Sequence, residues 1–130
     1  TLFDNLSRHG SEANLAWLRE SFGDGFTFVK EDIRDYDAIL AAATGQEAIY
    51  HLAAQTAVTS SVTDPRTDFE INALGAFNVL EAARHAGDDP VFIFSSTNKV
   101  YGGMEDAPAT ELATRYVLPD YPDGVPETRP

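Results

Sequence analysis

Four apolar runs in this 130-residue chain empty into polar side chains, and those junctions are where chemistry can be done. The densest follows Val91-Phe92-Ile93-Phe94 and reads Ser95-Ser96-Thr97-Asn98-Lys99-Val100-Tyr101-Gly102. Three consecutive hydroxyls, a carboxamide and an ammonium at the mouth of a buried strand have no evident packing purpose, which favours a functional one. A second junction is Asp4-Asn5-Leu6-Ser7-Arg8. An acidic residue at the tip of a parallel strand can accept both hydroxyls of a ribose, or it can simply cap its loop. A third, Asp32-Ile33, offers an acceptor and a flat apolar group, suited to an adenine edge and face; it also precedes a helix and can serve as a cap. The fourth is Leu52-Ala53-Ala54-Gln55, where small side chains let a planar cofactor lie close to the backbone, or let a helix pack close to a strand.

These groups need elements to hold them. The apolar runs Thr1–Phe3, Phe26–Val29, Ala48–Ala53 and Val91–Phe94 read as strands, continuous rather than alternating. Between them, Leu15, Leu18 and Phe22 recur at helical spacing over Ser11–Phe22, which Gly23 ends. Asp35 is placed to cap a short alanine-rich helix closed by Gly45. Asp64 and Pro65 start a long helix reaching Ala86-Gly87, with an apolar stripe of Phe69, Ala73, Phe77, Leu80 and Ala83. The link Thr59-Ser60-Ser61 reads as a loop, over the ligand or plainly on the surface. The order β-α-β-α-β-α-β predicts an α/β fold, a partial doubly wound parallel sheet covered on both faces, with ligands at the carboxyl ends of the strands. Residues 1–103 form this domain. Residues 104–130, which hold five of the seven prolines, are an irregular loop.

Composition narrows the partners. With 21 acidic and 9 basic residues the formal net charge is −12, which repels nucleic acid phosphates and anionic membranes. There is no cysteine, in keeping with a reducing, cytoplasmic setting. His9, His51 and His85 show no metal-ligating spacing; His51 reads as a strand-interior histidine holding one hydrogen bond, and Trp17 and the phenylalanines read as core. Tyr116 and Tyr121 can line a substrate loop or an ordinary packed one. The sequence opens on what reads as the tail of a strand in progress and is expected to be an internal piece of a longer protein.

Taken in order, "FDNLSR", "DIRD", "HLAAQ", "INALGAFNVLEAAR" and "SSTNKVYG" resemble the extended short-chain dehydrogenase/reductase family of nucleotide-sugar epimerases and dehydratases. "SSTNKVYG" followed by "TRY", "PDG" and "ET" is similar to its CDP-sugar 2-epimerase branch. The resemblance implies a Rossmann-type sheet, a nucleotide-sugar substrate, a homo-oligomer and a bound NAD. It implies that Asp4 takes the adenosine ribose with Asn5, Ser7 and Arg8 around it. Asp32 and Ile33 would hold the adenine, Leu52, Ala53, Ala54 and Gln55 would run under the cofactor's middle, and Asn72 and Ser95 would lie near it. Thr97 falls on the catalytic hydroxyl position, with Asn98 beside the substrate. An acidic Asp4 favours NAD over NADP, while Arg8 could pair with a 2′-phosphate.

Related sugar-nucleotide dehydratases carry an Asp-Glu pair after the threonine; Asn98-Lys99 cannot supply that acid and base, so epimerisation is expected instead. A UDP- or dTDP-sugar 4-epimerase and a non-catalytic NAD sensor are the alternatives. The family's glycine-rich turn and its Tyr-x-x-x-Lys are absent from these 130 residues. In this family's strand order, the missing first strand lies between the strand ending at Asp4 and the one ending at Ala53, so the chain alone is expected to fold poorly and be inactive.

Overall fold

The computed structural model describes residues 1–87 and 89–129. It divides into two compact units, Thr1–Ser95 and Ser96–Pro130. In the first, β1 (Leu2–Phe3) pairs in parallel with β2 (Phe28–Val29), and β3 (Ala48–His51) pairs in parallel with β4 (Val91–Phe94) in the register Ala48↔Val91 to His51↔Phe94. The two pairs are separate sheets. Between them lies a slot of about 460 Å³, walled by β1 and β3 and backed by Ile33, Ile39, Ala43 and Val79. Each of those strands therefore has one edge in a ladder and its other edge on the slot. The family resemblance expects a further strand at this position.

The helices start where their caps dictate. Asp35 accepts the Ala38 N–H at 3.1 Å and opens α2 (Tyr36–Ala43), preceded in the chain by α1 (Ser11–Phe22). The link Thr59-Ser60-Ser61, expected as a loop, lies within a short helix, α3 (Val58–Thr63). Valine, threonine and serine are weak helix formers, so propensity hides it. The Ser61 and Thr63 hydroxyls donate back to carbonyls three or four residues earlier. Asp64 then accepts the Thr67 N–H at 3.1 Å, and Pro65 begins α4 (Pro65–Phe69). A π-helical segment, Glu70–Gly75, leads into α5 (Ala76–His85).

The core is Ile33, Ile39, Ala43, Val79, Ala82 and Ala86, with α2 against α5. Two expectations are corrected here. The stripe Phe69–Phe77–Leu80 points outward, Phe69 being 64% and Phe77 57% exposed. The buried face of the helix is instead Gly75, Asn78, Val79 and Ala82, because close approach to α2 and Ile33 admits only small residues and a satisfied amide. Trp17 is also exposed, at 60%, edge-on to Phe22 rather than in the core. On β3 and β4, Ile49, His51 and Phe92 turn inward while Tyr50, Val91 and Ile93 are exposed, so within this unit the sheet is covered on one face.

His51 is buried and lies 5.5 Å from Phe94, ring centre to ring centre, without the hydrogen bond expected for it among the described residues. Burial pushes its pKa below the usual 6.5. The unfolded chain then binds a proton before the folded one does. Stability present above about pH 6.5 is lost as pH falls from there through the lowered pKa. In the full reading-frame protein a urea midpoint that drops between pH 7 and 5 is expected, and His51→Phe should flatten that part of the profile; an equal slope in both proteins would refute it.

The second unit begins with Thr97 capping a 3-10 turn, Asn98–Tyr101, and includes an antiparallel pair, β5 (Thr110–Glu111) with β6 (Tyr116–Val117). The Arg129 guanidinium holds its loops together, donating to Tyr121 Oη and to Asp106 Oδ1. Tyr121 thus packs within this unit.

Candidate functional site

At the end of β1 the chain turns sharply. Leu6 adopts a positive φ of 56°, and the Asp4 and Asn5 side chains accept the N–H groups of Leu6 and Ser7 at 2.6 and 2.9 Å. The Asp4 carboxylate stays exposed at the strand tip, as a ribose acceptor requires. Asn5 Nδ2 reaches across to Asp32 Oδ2 at 2.8 Å, tying the ends of β1 and β2 together. Ser7 and Arg8 are exposed, and Arg8 Nη1 donates to Thr56 Oγ1 at 3.0 Å, joining the β1 loop to the β3 loop.

Asp32 is more occupied than sequence reasoning anticipates. Oδ1 accepts both the backbone N–H and Nε of Arg34, and Oδ2 accepts Arg34 Nη2 and Asn5 Nδ2, all between 2.8 and 2.9 Å. A carboxylate has about four lone-pair positions. These are filled, so an adenine amino group reaches Asp32 only by exchange with one of them. The Arg34 side chain, hydrogen-bonded and charged, holds the Asp32 carboxyl far below the usual carboxylate range, and Arg34 also reaches Glu70. The Ile33 side chain is buried beneath the helix, so what it can offer a ligand is backbone. That backbone is fixed by Asn78, whose Nδ2 donates to the carbonyls of Ile33 and Arg34 at 3.1 and 3.2 Å. Asn78 was missed, although an asparagine amid "GAFNVL" on a helix was the available signal.

After β3, Leu52, Ala53 and Ala54 lie exposed at the carboxyl end of the strand, an open floor of mainly small side chains. Gln55 and Asn72 come together: Gln55 N–H donates to Asn72 Oδ1 and Asn72 Nδ2 donates to the Gln55 carbonyl, both at 2.9 Å. Asn72 thus spends both halves of its amide on the loop backbone. Ser95 ends β4, its N–H donating to the His51 carbonyl at 3.2 Å. In the second unit, Thr97 Oγ1 accepts the Lys99 N–H at 3.2 Å, and Asn98 is exposed. The donor set of the first unit fits a dinucleotide: an exposed carboxylate for a diol, a small-residue floor for a planar group, and loops fixed by their own hydrogen bonds. Among the described residues, no cluster of histidine and carboxylate side chains could hold a metal ion, and no helix is long and apolar enough to cross a membrane.

Residues 2–122 match the family described as GDP-mannose 4,6 dehydratase. This chain belongs to that family. Among its relatives, the CDP-paratose 2-epimerase of Salmonella typhi is 44% identical over 129 residues, covering 98% of this chain and 38% of that protein. The UDP-glucose-4-epimerase of Stenotrophomonas maltophila, solved with NAD and formylated UDP-arabinopyranose, matches with a TM-score of 0.68 at 29% identity, over 79% of this chain and 31% of that one. A DesIV double mutant, a dTDP-glucose 4,6-dehydratase from Streptomyces venezuelae solved with NAD and DAU, matches with a TM-score of 0.68 at 33% identity over the same shares. The chain is thus similar to epimerases and dehydratases alike, as the resemblance of its strand-end motifs implied, and the partial Rossmann-type fold is borne out. The chain spans about a third of the length of these relatives.

Proposed function

We propose that this chain is the cofactor-holding section of an NAD-dependent sugar-nucleotide epimerase that inverts C2 of a CDP-linked sugar. The observation that carries the reading is the 44% identity to a CDP-paratose 2-epimerase over 98% of the chain. Asn98-Lys99, standing directly after Thr97, agrees with it, since neither residue supplies the carboxylic acid that elimination of water needs. NAD, when bound, supplies the acceptor and donor of hydride. Asp4 takes the adenosine ribose, with Asn5, Ser7 and Arg8 shaping the turn around it. Asp32 and Ile33 border the adenine. Leu52, Ala53, Ala54 and Gln55 underlie the cofactor's middle, with Asn72 holding that loop and Ser95 at the next strand end. Thr97 keeps its hydroxyl hydrogen free to donate to the sugar oxygen, because the Lys99 N–H occupies only a lone pair. Asn98 contacts the substrate. The outward face of Phe69, Phe77 and Leu80 supports a homo-oligomer, and the absence of cysteine supports a cytoplasmic setting.

The test uses the protein encoded by the full reading frame, with CDP-paratose as substrate and proton NMR to follow C2. Conversion to the C2 epimer supports the reading. Interconversion of UDP-glucose and UDP-galactose, with the CDP-sugar untouched, overturns it in favour of a 4-epimerase. Thr97→Ala is expected to lower kcat by about 100-fold or more, with NAD affinity within about threefold. Unchanged turnover would remove Thr97 from the chemistry.

A further inference from the structure

Around the loop after β3, two carboxamides do the same thing in succession. The Asn72 amide bonds both backbone groups of Gln55, as described above. The Gln55 amide then bonds both backbone groups of Ala57: Oε1 accepts the Ala57 N–H at 2.7 Å and Nε2 donates to the Ala57 carbonyl at 2.8 Å. Each NH2 has a second hydrogen, and both second hydrogens go to one atom, Asp68 Oδ1, at 3.2 Å from Asn72 Nδ2 and 3.1 Å from Gln55 Nε2.

A carboxamide is nearly symmetric in shape, so its two ends exchange by a half-turn with little steric cost. Either amide, flipped, would set an oxygen against a backbone carbonyl and an NH2 against a backbone N–H. A carboxylate that accepts only, placed beside both NH2 groups, disfavours both flips at once. The Asp64 cap and Pro65 start α4 so that Asp68 and Asn72 fall four residues apart on one helical face, toward Gln55. We propose that Asp68 is a positioning residue for the cofactor-binding loop 54–57: it fixes the orientation of the Asn72 and Gln55 amides, and through them the backbone over which the cofactor lies. This rests on the NAD-binding reading above. Asp68 does not touch the cofactor; it acts through Gln55, and through Ala57 the effect reaches Thr56, which Arg8 joins to the β1 loop.

Asp68→Ala removes both acceptor contacts, while Asp68→Asn keeps an oxygen at the same place. The full reading-frame protein, its two variants and an NAD titration by calorimetry, with hydrogen exchange at the Gln55 and Ala57 amides, test the proposal. Expected are an NAD affinity about tenfold weaker and at least tenfold faster exchange at both amides in Asp68→Ala, against values within about threefold of wild type in Asp68→Asn, with melting temperatures of all three within a few degrees. The exchange arm reads the loop without any cofactor. Wild type that binds NAD beside an Asp68→Ala protein with unchanged affinity, or with unchanged exchange, overturns the positioning role. Equal loss in both variants together with a collapsed melting temperature also overturns it, since that marks a fold defect. Wild type that does not bind NAD overturns the functional reading and this inference with it.

Discussion

Joined to a glycine-rich strand–turn–helix that can enter the slot between β1 and β3, this chain is expected to gain on the order of 5 kcal/mol in stability and to bind NAD; alone it is expected to do neither. The reasoning starts from the two half-sheets. β1 and β3 each carry a ladder on one side and face the slot on the other, so two rows of backbone N–H and C=O groups lack a strand partner there among the described residues. Neighbouring strands sit about 4.8 Å apart, so one added strand between them needs a gap of about 10 Å. The large apolar side chains that it brings into the slot, against Ile33, Ile39 and Val79, would each contribute about 1.5–3 kcal/mol on burial. The ladder hydrogen bonds add about 1 kcal/mol each, less the ordering of the strand itself. Function follows from the same strand, because only a closed sheet sets the Asp4 tip and the Leu52–Ala54 floor at a fixed spacing. Urea unfolding and NAD titration of the chain alone and of the joined protein decide the matter. A cooperative two-state transition with tight NAD binding in the 130-residue chain alone would sink the idea.

Much of this arrangement is legible in local sequence where one residue decides the outcome. Asp35 and Asp64-Pro65 start their helices as their chemistry requires, and the polar tips after Phe3, Val29, His51 and Phe94 lie at strand ends. What escaped is set by partners distant in sequence. The Phe69–Phe77–Leu80 stripe has as regular a spacing as any core face; nothing local reveals that Ile33 and α2 claim the opposite, small-residue side. Asp32 reads as a free acceptor until Arg34 and Asn5 are seen to fill it, and Asn5 lies 27 residues away. Asp68 reads as surface charge in a strongly acidic chain, and only the convergence of two amides on one oxygen gives it a role.

The steric limit on the helix can be measured directly. A Cβ at Gly75 would lie 2.5 Å from Ile33 Cδ1 and 2.7 Å from Ile33 Cγ1, well inside any normal contact. Gly75 has ordinary helical dihedrals, so backbone conformation does not demand glycine there; space does. Gly75→Ala gains up to about 1 kcal/mol in helix propensity. Against that, forcing a buried isoleucine aside costs about 1–3 kcal/mol, because Ile33 is 9% exposed and hemmed in by Ile39 and Val79. Net destabilisation of about 1–2 kcal/mol is expected for Gly75→Ala. Gly75→Val, with two further methyls and a poorer propensity, is expected to lose about 3 kcal/mol or more. Ile33→Ala removes both clashing atoms, so Gly75→Ala should be neutral or stabilising in that background, with a coupling of about 1–3 kcal/mol across the cycle. The displacement also has a functional reading. Asn78 pins the Ile33 and Arg34 carbonyls while the Ile33 side chain is pushed, so strain falls on the Asp32–Arg34 turn, the proposed adenine end. NAD affinity is therefore expected to weaken severalfold in Gly75→Ala and to recover in the double variant. Additive stabilities in urea unfolding of the four full reading-frame proteins would show that Ile33 yields freely, and that the small-residue face is not imposed by it.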